Sequence, residues 1–248
     1  MEQQNLNFEP VVLRPRSASN LLLTCEHSNG RLPGGIRPTR EERLILASHH
    51  GIDIGAWDLT REIAARLSST ALGGRYSRLW VDLNRDKGDP ELVREEAEGV
   101  LLGWNRNLTT RDRKARIQSV YDRYHHEIDG QIQRLLAGNL RPVLLSIHSF
   151  TSRWNGRARD FDCGVLYDRH GSHARVLAAG LRQENLTVKY NAPYSGKLGM
   201  MYSVERHGFA HNLPCLELEL NQSRIDTSSK IAKLAPAITR AIRRLPTV

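Results

Sequence analysis

Apolar positions along the chain fall into short runs separated by polar, glycine-bearing turns. NLLLTC (20–25) stops at Glu26-His27 and gives way to SNGRLPGG, which predicts a buried strand followed by a turn. Residues 39–50 predict a short helix, and residues 53–67 a second one with Trp57, Ala64 and Leu67 on one stripe. RYSRLWVDL (75–83) alternates as a strand does, and NRDKGDP after it reads as loop. The most persistent helical period covers 110–136, where Ile117, Val120, Tyr121, Tyr124, Ile128, Ile132 and Leu135 recur on one face. PVLLSI from Pro142 to His148, CGVLY (163–167), LTVKYN (186–191) and LPCLELEL (213–220) predict further strands. Residues 171–184 and 226–244 predict two more helices. Strands alternating with helices imply a mostly parallel sheet covered on both faces, a three-layer α/β/α arrangement. The expectation is one α/β domain over residues 1–248, with the polar stretch 1–19 as a surface arm.

Composition narrows the class more than the function. At 248 residues, 40% hydrophobic and 25% charged, the chain can bury a full core and is neither disordered nor collagen-like. No apolar run approaches the roughly 18–20 residues of a membrane span. The opening MEQQNLNFEP lacks the basic and apolar regions of a secretory signal. Cys25, Cys163 and Cys215 have no C-x-x-C spacing, which argues against a disulfide framework or zinc ribbon and suits a cytoplasmic protein. The net charge of +9 favours anionic partners. The basic residues are dispersed and aromatics are only 6%, so the expectation is a small anionic substrate, with neither nucleic acid nor membrane as partner.

Polar residues stand directly after apolar runs at four places: Glu26-His27, Asn84-Arg85, His148-Ser149, and Glu219 through Gln222. In open α/β sheets ligands bind outside the carboxyl ends of parallel strands, so these groups are expected to share one crevice. Neutral imidazole is the commonest zinc ligand, and a catalytic zinc needs three protein ligands, so His27 and His148 call for a carboxylate. On a helical wheel Asp53 faces the protein and Asp58 faces water. Asp53 also suits a helix N-cap, and Glu26 is the next candidate ligand. Along 216–221 the leucines share one face while Glu217, Glu219 and Asn221 share the other. Buried carboxylates there fit either ion pairs with arginines or a general base. His125 falls at the edge of its helix's apolar face and His126 points to solvent; His125 is a candidate catalytic group or a packed histidine.

Together CEHSNGRLP (25–33), DIGAWDLTREIAARL (53–67), SRLWVDLNRD (77–86), YHHEI (124–128), SIHSFT (146–151), CGVLYD (163–168), NAPYSG (191–196) and LELELNQ (216–222) resemble the N-formylglutamate amidohydrolase family, in its predicted amidohydrolase branch. The resemblance covers roughly 20–225. It implies a metal-dependent hydrolase of phosphorylase/hydrolase-like fold, akin to zinc carboxypeptidases, that cleaves N-formyl-L-glutamate to formate and glutamate late in histidine breakdown. It carries His27 and His148 over as the paired histidines and Glu219 as the late-strand glutamate. The wider group's His-x-x-Glu pair is absent, since Gly30 stands at the glutamate position. The third ligand is therefore open among Asp53, Glu26 and Asp58, with Asp53 favoured by the wheel.

The resulting expectation is zinc-assisted amide hydrolysis with Glu219 as base and an arginine fork on the substrate carboxylate. Asn84-Arg85 is the first candidate for that clamp, unless Asp82, Asp86 or Asp89 pairs with Arg85; Arg78, Arg157 and Arg159 are next. Two rival readings are a non-catalytic anion or nucleic-acid-binding module and a cysteine hydrolase built on Cys25 beside His27.

Overall fold

The computed structural model describes residues 8–15 and 19–246. A seven-stranded sheet forms the middle layer. Its strands in chain order are β1 (Val11–Leu13), β2 (Leu21–Cys25), β3 (Thr70–Gly73), β4 (Val143–Phe150), β5 (Cys163–Leu166), β6 (Val188–Tyr190) and β7 (Cys215–Asn221). The spatial order is β1-β3-β2-β4-β7-β5-β6. β3, β2, β4 and β7 run parallel, as do β5 and β6. β1 is antiparallel to β3, and β7 is antiparallel to β5. The sheet is therefore mixed and mostly parallel.

The α-helices are α1 (Arg40–Ala47), α2 (Ala56–Leu67), α3 (Thr110–Arg116), α4 (Asp122–Ala137), α5 (Gly171–Gln183), α6 (Tyr202–Ala210) and α7 (Ser228–Ile242), with α2, α5 and α7 on one face of the sheet and α4 and α6 on the other. One core layer joins Leu23, Leu145, Ile147, Leu216, Leu218 and Leu220 to α2, α5 and α7. The other joins Leu22, Leu144 and Cys215 to α4 and α6, through residues such as Tyr124, Ile128, Ile132 and Val204. Period-two burial of the strands thus feeds two separate apolar layers. A π turn over Ile117–Tyr121 joins α3 to α4. No helix among the described residues is long and apolar enough to cross a membrane.

Three expectations change. Part of the arm is structured, since Val11–Leu13 pairs with β3 at the sheet edge; residues 1–7 and 16–18 lie outside the described part. The strand after α2 is TALG at 70–73, not RYSRLWVDL. Leu79, Val81 and Leu83 put a buried apolar side chain at every second position, which mimics strand periodicity, although Asp82 between the last two is buried as well. Their segment nevertheless bonds to loops: Ser77 N donates to Arg31 O at 2.7 Å, and Asp82 N to Leu92 O at 2.9 Å. Finally, α2 begins at Ala56 with Gly55 as its cap, so Asp53 is neither helical nor the N-cap.

Candidate active site

On the α4/α6 side, strand positions turn from apolar to polar toward the carboxyl ends. Leu22 is followed by Thr24 and Glu26, Leu144 by Ser146 and His148, and Cys215 by Glu217 and Glu219, all buried. The parallel register sets Glu217 beside Ser146 and Glu219 beside His148. Two loops close over these ends. Asp53 N donates to the His27 carbonyl at 3.0 Å, which holds the turn after α1 against His27. Gly55 then turns the chain into α2 at φ +77°, and a Cβ there would collide with the Ile225 carbonyl. The 77–84 loop is held by Arg116, which donates to Trp80 O at 3.0 Å and stacks on the Trp80 ring.

The two histidines share Asp53. Its Oδ2 lies 2.7 Å from His148 Nδ1 and 3.5 Å from His27 Nδ1. Each second nitrogen meets another carboxylate: His27 Nε2 is 2.8 Å from Asp82 Oδ1, and His148 Nε2 is 2.9 Å from Glu26 Oε2. Glu26 also accepts from Ser146 at 2.6 Å and Tyr124 at 3.1 Å. Arg78 donates to Asp82 through Nη2 at 3.0 Å and Nε at 3.2 Å, and its Nη1 lies 3.6 Å from Asp53.

This arrangement has an electrostatic consequence. If His27 Nε2–H donates to Asp82, Nδ1 keeps a lone pair, and that atom is buried without a hydrogen-bond partner among the described residues. A lone pair facing a carboxylate oxygen is unfavourable unless a cation lies between them. His148 has carboxylates at both nitrogens, so without another cation it must carry both protons. Burial opposes that charge, but Glu217, Asp53 and Glu26 outweigh it and hold the His148 pKa well above the usual imidazole value. Burial also opposes ionisation of Asp53, but His27 and His148 keep its carboxyl well below the usual range. Burial pushes Glu217 up to about 7 against the pull of His148, and burial together with Glu217 pushes Glu219 well above its ordinary value. Glu26, Asp53, Asp82, Glu217 and Glu219 are all buried here, with Arg78 paired to Asp53 and Asp82 and Arg85 reaching Asp82 from the rim. Donor atoms of His27, Asp53 and His148 lie within 4.8 Å of one another, close enough to hold one metal ion.

These groups form the floor of a cavity of about 340 Å³. Its rim carries His49, His50, Arg78, Asn84, Arg85, Arg94 and Glu98, and its side wall Phe150, Thr151, Trp154, Tyr194 and Met200. A larger concavity of about 930 Å³, lined by Ile52, Ile54, Ile225 and Ile231 among others, includes none of His27, Asp53, His148 and Glu219.

The structure thus brings His27, Asp53, His148 and Glu219 together. Asp58 is exposed and lies near Arg61, while Glu26 stands behind His148 and outside the three-residue cluster. Arg85 is paired, its Nε 3.3 Å from Asp82 and its Nη1 2.8 Å from Asp89, which is the ion-pair alternative. Asn84 lines the cavity with its Oδ1 accepting from Ser203 N at 2.8 Å. Arg159 has no carboxylate partner among the described residues. It donates to Thr151 O at 3.2 Å and Oγ1 at 3.0 Å and sits over the Phe150, Trp154 and Tyr194 rings. Cys25 is fully buried and burial pushes its thiol well above the usual value, so it offers no thiolate. Sequence reasoning treated Asp82 only as a partner for Arg85. The available signal was an acid inside the apolar stretch LWVDL.

His125, the other candidate catalytic group, is not among the residues that line the cavity. It is buried, with Nδ1 2.9 Å from His207 Nε2. His207 Nδ1 in turn lies 2.7 Å from Asp129, which also meets His211 at 3.0 Å. This chain braces α4 against α6. Burial opposes the Asp129 charge, but hydrogen bonds from His207 and then His211 hold the carboxyl at about 2. A folded-state pKa below the unfolded one stabilises above the unfolded value, and the contribution fades as pH falls toward the folded value. Asp129→Asn is therefore expected to lower stability near pH 7 by about 1 kcal/mol. In thermal unfolding the gap to wild type should close between about pH 4 and pH 2.

Three related proteins frame the site. A gene product of Agrobacterium tumefaciens, Atu2144, superposes with a TM-score of 0.87 at 26% identity, over 96% of this chain and 94% of its own. The N-formylglutamate amidohydrolase of Ralstonia eutropha JMP134 has the same fold, with a TM-score of 0.73 at 20% identity over 96% and 97%. A probable inorganic carbon transporter subunit DabA of Thiobacillus denitrificans is 29% identical over 195 residues, 71% of this chain but only 18% of that protein's length. A match over residues 19–225, which takes in the strands of both histidines and of Glu219, makes the chain a member of the N-formylglutamate amidohydrolase family.

Proposed function

We propose that the chain is a metal-dependent amidohydrolase of N-acyl amino acids, with N-formyl-L-glutamate cleaved to formate and L-glutamate as its reaction. The observation that carries this reading is the buried, unpartnered His27 Nδ1 beside Asp53 and His148. The donor set fits a divalent transition metal, for which zinc is the choice: two imidazoles and a carboxylate, each imidazole backed by a further carboxylate. Such an ion lowers the pKa of a water it holds to about 7 and polarises a carbonyl.

The rest of the chemistry belongs to the chain. Glu219 lies beside His148, and its buried Oε2 has no hydrogen-bond partner. It takes the proton of the attacking water and returns it to the leaving nitrogen as the C–N bond breaks. Asp82 and Glu26 fix the orientation of the two rings. Arg78 ties Asp82 to Asp53 and so serves the metal cluster rather than the substrate. The guanidinium of Arg159, beside the aromatic wall, receives a substrate carboxylate.

Two variants test these roles. Asp82→Asn is expected to weaken metal binding roughly 10–100-fold, read by competition with a chelating dye. Arg159→Lys keeps the charge but loses the fork, and should lower kcat/KM on carboxylated substrates about tenfold while sparing a neutral amide analogue. The function itself is tested by following formate and free amine release from a panel of N-acyl amino acids. Turnover of N-formylglutamate supports the reading, and no turnover of any member overturns it. The reading as a non-catalytic binding module rests on net charge alone, and the acidic cavity floor gives it no support.

A further inference from the structure

The cavity lining is of mixed charge. Asp53, Glu217 and Glu219 line its floor, and Arg78, Arg85, Arg94 and Glu98 its rim, with Arg85 paired to Asp82 and Asp89 and Arg94 to Glu91. His49 lines the same cavity, and its Nε2 is buried without a hydrogen-bond partner. The ring itself is held by neighbours: it lies tilted against His50 at 3.8 Å between centroids and meets the edge of Trp154 at 6.4 Å. His50 in turn lies 3.3 Å from Glu98. An imidazole of a cavity-lining residue that leaves one nitrogen unfilled is a contact prepared for a ligand, because a buried polar atom without a partner costs about 1–3 kcal/mol.

We infer that His49 is a specificity-determining residue, whose Nε2–H donates to a second substrate carboxylate, the one borne by the amino acid's side chain. This rests on the amidohydrolase reading above and selects N-acyl dicarboxylic amino acids over neutral ones. Neutral imidazole puts its single proton on either nitrogen, and only a donor suits an anionic oxygen. Burial, and then the neighbouring His50, keep His49 below the usual imidazole pKa, in agreement with a neutral donor. Arg159, on the aromatic wall, is left for the carboxylate common to all amino acids.

The test compares N-formylglutamate with N-formylglutamine, equal in shape but uncharged at the side chain. His49→Phe keeps the ring contacts with His50 and Trp154 while removing both nitrogens. It is expected to raise KM for N-formylglutamate by about 10–100-fold, the range for a hydrogen bond to a charged group, with little change in kcat and little effect on N-formylglutamine. His49→Gln, which returns an N–H donor near the Nε2 position, should recover part of the loss. Calorimetric binding of glutamate and glutamine to wild type and His49→Phe gives the same comparison without turnover. If wild type hydrolyses neither substrate, the functional reading fails, and a glutamate preference that vanishes in the variant still upholds His49. Equal losses on both ligands, no loss on either, or no binding of glutamate overturns the assignment.

Discussion

His27→Ala and His148→Ala are each expected to lose the metal and, with it, at least about a thousandfold in kcat/KM, since several kcal/mol of charge stabilisation goes with the ion. The cause is geometric. With one imidazole gone, Asp53 and the remaining histidine offer only two donors, and a catalytic zinc site needs three. The remaining carboxylates do not substitute, because Glu26 and Asp82 already hold the outer nitrogens of His148 and His27. Asp53→Asn should also weaken metal binding far more than Asp58→Asn. Asp53 is 4% exposed between the histidines, whereas Asp58 is 61% exposed near Arg61. Metal analysis of the purified variants decides the matter, and full occupancy in both histidine variants would contradict the ligand set.

Glu219→Gln should retain the metal and lower kcat by roughly 10²–10⁴-fold, the usual contribution of a positioned general base. The amide keeps size and hydrogen bonding but cannot accept the water proton. Glu217 is the natural control. It shares the face of Glu219, yet its Oε2 lies 3.5 Å from His148 Nε2, so its charge bears on that ring. Glu217→Gln is therefore expected to cost kcat much less. Near-normal kcat for Glu219→Gln, with metal retained, would make Glu219 a structural carboxylate.

The residues best read from sequence were those on long central strands. In LLSIHS and CLELEL the period of two assigns each side chain to a face, and polar groups on a buried face signal a site whatever its function. The helical wheel turns Asp53 inward for the wrong reason. The wheel assumed a helix from residue 53, whereas the residue is turned inward by a bond to the His27 carbonyl and by the Gly55 turn. The 75–83 segment misled because a buried apolar side chain at every second position also arises in a loop folded over strand ends. β3 was missed because TALG is short and built from small residues with weak strand preference. Helical periodicity placed His125 inside, but a periodicity names no partner, and His207 comes from a distant helix. Which arginines are paired depends on loop geometry, which brings Arg85 to Asp82 and Asp89 and leaves Arg159 without a carboxylate partner among the described residues.

The central claim is that one ion held by His27, Asp53 and His148 enables amide hydrolysis. Its most direct test is a titration of the chelator-stripped protein with zinc, read as the rate of N-formylglutamate hydrolysis. The account predicts no activity without metal and a rise that breaks at one equivalent per chain. Full activity of the metal-free chain, unchanged by added zinc, would contradict it.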